Sequence, residues 1–397
     1  MKILKCFALA LILGMFTVPA SASGADFHIG MMTSSTAQGE DDLLGAERVI
    51  EEYGDSSTGG MITHVTYPHS FMDAIENTIS MLVELADDPK MKVIVVNQAV
   101  PGTALGFRRI REKRPDIILL AGETHEETGT ITEAADLTVN SDHIARGYLI
   151  PLGAQMLGAK NFVHISFQRH MNYETVIRRY AIMEEACKDL GIDFISETAP
   201  DPLSDVQVLG AQQYIYEYMP GWLEKYGKDT AFFCTNDAHT EPLLMRIAEL
   251  GGYFVEADLP SPLMGYPGAL EIDLSDLHGD WPAILEKVEA AVIAAGGSGR
   301  MGTWAYSYGY AQSAALVEFG KRVVEGKAKL DSLEDLIDCY NKYTPGAKWN
   351  ASYYTDAKTG EHNTKLVLVY QDTYVFGKGY LGLTNVKVPE KYFTIDK

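Results

Sequence analysis

Basic residues are scarce in this chain. Lys and Arg number 33 against 54 Asp and Glu, a formal charge of −21. Gripping phosphates requires a positive surface, so the balance excludes nucleic acid as a partner. It argues equally against an anionic membrane face. Cysteine is also sparse, 4 in 397 residues, with no C-x-x-C pair. A disulfide framework does not fit that count. There is no P-loop, no H-E-x-x-H and no G-x-S-x-G. Gly377 to Gly382 has G-x-G-x-x-G spacing, but Pro389 and β-formers follow it. A dinucleotide site needs a helix N-terminus there, so these are turn glycines. Beyond the first residues, no apolar run reaches the roughly 20 residues that span a bilayer.

What is present begins with residues 1–22. Lys2 and Lys5 precede a short apolar run, and Ala20-Ser21-Ala22 offers a small-residue cleavage site. This reads as a secretory signal peptide cleaved after Ala22. It predicts an exported, periplasmic protein that keeps Cys187, Cys234 and Cys339, with at least one thiol free. Hydrophobic content of 46% and charged content of 22% are those of an ordinary folded chain.

Short β-branched runs then alternate with amphipathic helical patterns. Residues 27–31, 61–67, 93–96 and 117–120 read as strands, with helices over 41–53, 73–86 and 105–113. The pattern restarts with strands at 161–166, 193–196, 230–234 and 253–256 and helices at 173–190, 212–226 and 241–250. Four- to six-residue apolar runs punctuated by Gly and Pro favour buried parallel strands. The fold class is therefore α/β, two doubly wound parallel-sheet lobes, with a seam near 139–147. After Leu259 come helices over 281–295 and 307–325, and a tail whose segments 364–370 and 373–376 alternate like a hairpin.

In open α/β sheets, ligands bind beyond the carboxyl ends of the strands. The polar residues at those positions are Ser34, Ser35, Thr36 and Gln38, then Gln98, then Glu123. In the second unit they are Arg169, Asp201, Asn236 and Asp237. Together they predict a site for a small polar molecule. His69, His125, His170 and His239 also follow strand ends, where polar loop roles suit them better than a metal site.

A resemblance becomes specific at the seam. Asn140-Ser141-Asp142-His143-Ile144-Ala145-Arg146-Gly147 leads through Gly158-Ala159-Lys160 and a strand to Arg179 and a helix ending before Gly191. Ala231-Phe232-Phe233-Cys234-Thr235-Asn236-Asp237 follows as a strand ending in Asn-Asp. In this order and spacing the chain resembles the type I periplasmic solute-binding proteins, sugar-binding relatives of the lac-repressor ligand domain. It departs from the pattern at Ile182, where the family carries Gly, and in its long segment after Leu259.

The resemblance implies a two-lobed clamp that closes on a solute. Arg179 matches the arginine that bonds ligand, and Asp237 the aspartate that accepts from sugar hydroxyls. Glu123 falls where the family has an acid after its fourth strand. The expected lobes are 23–142 plus about 298–345, and 143–297 plus about 346–397. The expected role is capture of a sugar, nucleoside or amino-acid-like solute for an ABC permease in the inner membrane. No catalytic residue, metal or cofactor is expected. A ligand-sensing module for a membrane receptor is an alternative. So is an exported α/β hydrolytic enzyme with Glu123–His125 or Asp237–His239 as an acid–base pair.

Overall fold

The computed structural model describes residues 24–34 and 40–396, so the signal-peptide expectation lies outside the described residues. The first unit runs β1 (His28–Thr33), α1 (Asp41–Tyr53), β2 (Ile62–Thr66), α2 (Ile75–Ala86), β3 (Met91–Asn97), α3 (Thr103–Lys113), β4 (Ile118–Gly122), α4 (Thr128–Ala134) and β5 (Leu137–Ser141). The second runs α5 (His143–Leu157), β6 (Asn161–Ser166), α6 (Glu174–Leu190), β7 (Asp193–Thr198), α7 (Gln207–Tyr226), β8 (Thr230–Cys234), α8 (Thr240–Leu250), α9 (Tyr266–Ala269), α10 (Trp281–Ala294) and β9 (Gly302–Trp304). The remainder is α11 (Tyr308–Val324), α12 (Leu333–Tyr343), β10 (Trp349–Thr355), β11 (His362–Gln371), β12 (Thr373–Val375) and β13 (Gly379–Tyr380).

The first sheet has the order β10-β11-β5-β4-β3-β1-β2. All its pairings are parallel except β10 with β11. Its central strands β1, β3 and β4 are buried on both faces, which is why they read as apolar runs. Along β3, Val93 and Val95 join a core shared with α1 and α11, while Ile94 and Val96 face the α2 and α3 side. That is the period-2 alternation of a strand between two helical layers. Gly45 permits the close approach of α1 to α11, since a Cβ there would sit 2.5 Å from Ser313 Cβ.

The second sheet has the parallel core β7-β6-β8. Single bridges at Ala231–Tyr253 and Phe254–Met301 carry it towards β9, which pairs with β12 and then β13. The α/β class and the two parallel-sheet lobes expected from the sequence are both present. Cys187, Cys234 and Cys339 are buried free thiols, each pushed up to about 12 by burial.

The chain passes between the sheets three times: at Ser141–His143, Ala305–Ser307 and Gln371–Thr373. The expected assignment of 346–397 to the second lobe is corrected for β10 and β11, because β11 pairs in parallel with β5 of the first sheet. The second passage also falls after β9, later than residue 298. The tail hairpin is not formed. Residues 364–370 belong to β11 and 373–375 to β12, which pairs with β9 and β13 instead. Asp372 sits at the step between sheets, accepting from the Gly382 and Leu383 N–H groups at 3.0 and 2.7 Å. Gly377, Gly379 and Gly382 all have positive φ and form the turns around β13, and among the described residues only short 3-10 turns, no α-helix, follow them.

Candidate ligand cleft

The first wall is built on the ends of β1, β3 and β4 and the start of α1. Asp42 is 2% exposed. Its carboxylate accepts from Ser34 Oγ at 3.1 Å, Asn97 Nδ2 at 3.0 Å and Gln98 Nε2 at 2.7 Å. Burial pushes Asp42 up to about 7 against the Gln98 and Ser34 donors, and the Asp41 and Glu123 charges add to the rise. Burial likewise pushes Asp41 up to about 6, against bonds from Ser307 and Ser261. Gln98 and Glu123 both hold φ in the left-handed region, 51° and 37°. Non-glycine residues there cost backbone energy, and such strain concentrates at functional sites.

Glu123 leads from the first wall into the passage between lobes. It accepts from the Ser141 N–H at 2.8 Å and the Tyr308 hydroxyl at 2.7 Å, with His143 Nε2 at 3.5 Å. Burial alone would raise its carboxyl, but the His143 bond and charge, the Ser141 N–H and Tyr308 together hold it below the usual value. His143 is kept neutral by burial and by Arg179, whose Nη1 approaches Nδ1 at 2.6 Å. Arg179 has only protons to give, so His143 Nδ1 accepts and Nε2–H faces Glu123.

Arg179 belongs to α6 in the second wall and is 0% exposed. Its guanidinium lies 4.8 Å from the Phe233 ring centroid, and Nη2 comes within 2.6 Å of Asp258 Oδ1. That approach is close but poorly directed, since neither atom completes a hydrogen bond. Asp237 stands at the end of β8. Burial, then the Asp258 charge, raises its carboxyl well above the usual range. Arg179, His143 and Arg146 outweigh burial at Asp258 and hold it low. The two neighbouring acids are thus pushed in opposite directions, Asp258 towards the carboxylate and Asp237 towards the neutral acid.

The structure therefore brings together Ser34, Gln98 and Glu123 on one wall and Arg179 and Asp237 on the other. Arg169 and Asp201 instead pair with each other in a two-point bridge at 2.7 and 2.9 Å. Asn236 accepts from the Ala238 N–H and caps a short turn. Ser35, Thr36 and Gln38 lie outside the described residues. Sequence reasoning missed Asp41, Asp42, His143 and Asp258. The first two look like ordinary acids in the first turn of a helix, and Asp258 falls where the strand–helix rhythm stops. Among the described residues no group of three or more His, Cys, Asp or Glu could hold a metal ion. A surface concavity of about 990 Å³ bounded by Lys188, Lys391 and Asp396 is lined by none of the cleft residues.

A protein of Treponema pallidum (strain Nichols) is 39% identical over 220 residues, covering 55% of this chain and 100% of that protein. A putative transcriptional regulator from Clostridium difficile 630 has a similar fold, with TM-score 0.74 and 22% identity, covering 88% of this chain and 99% of the other. A periplasmic ribose ABC transporter protein from Conexibacter woesei DSM 14684 aligns with TM-score 0.48 and 12% identity over 95% of this chain and 100% of its own. Residues 27–302 match the family described as Protein of unknown function (DUF3798), and the chain belongs to that family.

Proposed function

We propose that this protein is an exported solute-binding protein that captures a small polar ligand between its lobes. The observation that carries the reading is the convergence of buried polar groups from both sheets on the segment where the chain passes between them. Glu123 at the end of β4, His143 at the passage, and Arg179 and Asp258 in the second lobe form one continuous chain. Its members belong to bodies joined by three short segments, the arrangement from which hinge closure around a ligand arises. Closure would withdraw ligand and protein polar groups from water together, which makes each contact stronger. The closed form would deliver its solute to an ABC permease, and among the described residues no helix is long and apolar enough to cross a membrane.

The acid–base pairs of a hydrolytic reading receive no support. Glu123 engages His143 rather than His125, and His239 Nε2 meets the Pro200 carbonyl at 3.1 Å. The test is a melting-temperature screen of the purified protein against small polar solutes, followed by recovery of any stabilising compound. A binding protein returns it unchanged, whereas an enzyme consumes it. Unaltered affinity in both Arg179→Ala and Asp237→Ala would overturn the site.

A further inference from the structure

The chain passages are not the only ties between the lobes. Arg178, on α6 of the second lobe, is 0% exposed. Its guanidinium reaches three separate segments. Nη1 donates to the Tyr354 hydroxyl at 2.8 Å and the Thr355 carbonyl at 3.3 Å, both at the far end of β10 in the first sheet. The same nitrogen meets Glu174 Oε1, one turn back along α6, at 3.2 Å. Nε donates to the Ile395 carbonyl at 3.1 Å and Nη2 to the Phe393 carbonyl at 3.3 Å. Tyr354 closes the ring. Its hydroxyl donates to Glu174 Oε1 at 2.8 Å, and the guanidinium lies 5.2 Å from its ring centroid.

The segment that supplies the two carbonyls is itself anchored on both lobes. Tyr392 stacks on Tyr148 of α5 with centroids 4.8 Å apart, and Lys391 Nζ meets Glu185 Oε1 of α6 at 3.3 Å. Asp396 pairs with Lys358, in the turn between β10 and β11, at 3.5 Å. Residues 391–396 thus run as a strap from the second lobe to the first.

The junction stands away from the pivot. β10 starts beside the third passage at Trp349, opposite Gln371, and Tyr354 is five residues further on, about 16 Å of strand. Rotation of two bodies moves points far from the pivot most, and a hydrogen bond weakens steeply once its geometry is lost. Swinging one lobe against the other would draw Tyr354 and Thr355 off Arg178. Part of a buried guanidinium would then lack acceptors until water reached it.

We propose that Arg178 and Tyr354 form a clasp between the lobes, set away from the passages, which restrains the swing of the clamp and so sets how readily the cleft opens. This rests on the solute-binding reading and names a control on that same site. Arg178 is a positioning residue. Its neighbour Arg179 faces His143 at the first passage, so the helix held by the clasp is the helix that carries a candidate ligand contact.

The experiment measures the distance between lobes by double electron–electron resonance on the purified protein, in a Cys6→Ser background, with spin labels at Leu105→Cys and Leu209→Cys. Both leucines are exposed, in the first turns of α3 and α7 on opposite lobes, and Cys187, Cys234 and Cys339 are buried away from the label. The intact clasp should give one narrow distance. Tyr354→Phe removes a single hydroxyl, and Arg178→Lys keeps the charge with a shorter reach. Each should add a second distance in at least a tenth of the molecules. Both are first checked for cooperative melting, and Tyr354→Phe decides alone if Arg178→Lys does not fold. A distribution unchanged in Tyr354→Phe, whatever happens to its melting temperature, would show a merely structural contact and overturn the proposal. That result would leave the solute-binding reading standing, because the screen against polar solutes tests it separately.

Discussion

Two buried arginines sit near the passages between lobes, and their surroundings differ. Arg146, 1% exposed, is fully satisfied: Nε meets Glu256 at 2.7 Å, Nη1 meets Ser141 at 2.6 Å, and Nη2 meets the Ala257 carbonyl at 2.8 Å. Glu256 turns its other oxygen to Trp304 Nε1 at 2.9 Å and Thr373 Oγ1 at 2.6 Å. Ser141, Trp304 and Thr373 lie one at each passage, so this single cluster ties all three together. Arg179, equally buried, keeps Nε without a partner and meets Asp258 without a directed bond. A complete polar network gives rigidity and a unique arrangement, and an incomplete one costs stability. The first cluster ties the passages together, and the second is the one that the proposed function assigns to a ligand.

The largest expected effect comes from breaking the complete cluster. Arg146→Ala strands Glu256 as a buried charge and should cost about 3–5 kcal/mol in urea unfolding. A cost within about 1 kcal/mol, the range of an exposed pair, would show that the two clusters do not differ as described. Arg179→Ala should cost less, about 1–3 kcal/mol, because fewer satisfied bonds are lost. Its main effect should instead fall on solute affinity, a loss of at least tenfold by calorimetry.

Asp237→Asn sharpens the contrast by reversing the sign. A carboxyl raised in the folded state contributes most below its unfolded value, and that contribution is lost as pH rises through the folded value. Asparagine has no such loss, so the unliganded variant should gain about 0.5–2 kcal/mol at pH 8, with the gain shrinking towards pH 4 in paired melting curves. Asp42, at about 7, follows the same sign, its own contribution being lost between about pH 4 and pH 7. The smallest effect belongs to the rim. Arg169 and Asp201 are 32% and 22% exposed, and Asp201→Ala should cost no more than about 1 kcal/mol.

How far this was legible in the sequence depends on what each pattern encodes. Buried parallel strands announce themselves as apolar runs, so β3 and β8 could be placed from composition alone. Alternation in the tail carries no record of a strand's partner. Residues 364–370 and 373–376 therefore look like a hairpin, although Asp372 moves the chain from one sheet to the other. Strand-end polar residues led to Gln98, Glu123 and Asp237, because topology places those positions just beyond the carboxyl ends of their strands. The same rule put Arg169 and Asp201 there, and only their mutual distance shows that they engage each other. Asp41 and Asp42 were hidden by the helix they begin, whose first turn favours acids whatever their role.

The most direct test of the central claim, that the incomplete cluster is completed by a captured solute, is to purify the protein from its host, denature it and identify the released small molecules by mass spectrometry. The account predicts a single small polar compound, bound again by the refolded protein and returned unchanged. A protein that releases nothing and binds no solute supplied to it, or one that returns the compound chemically altered, would contradict it.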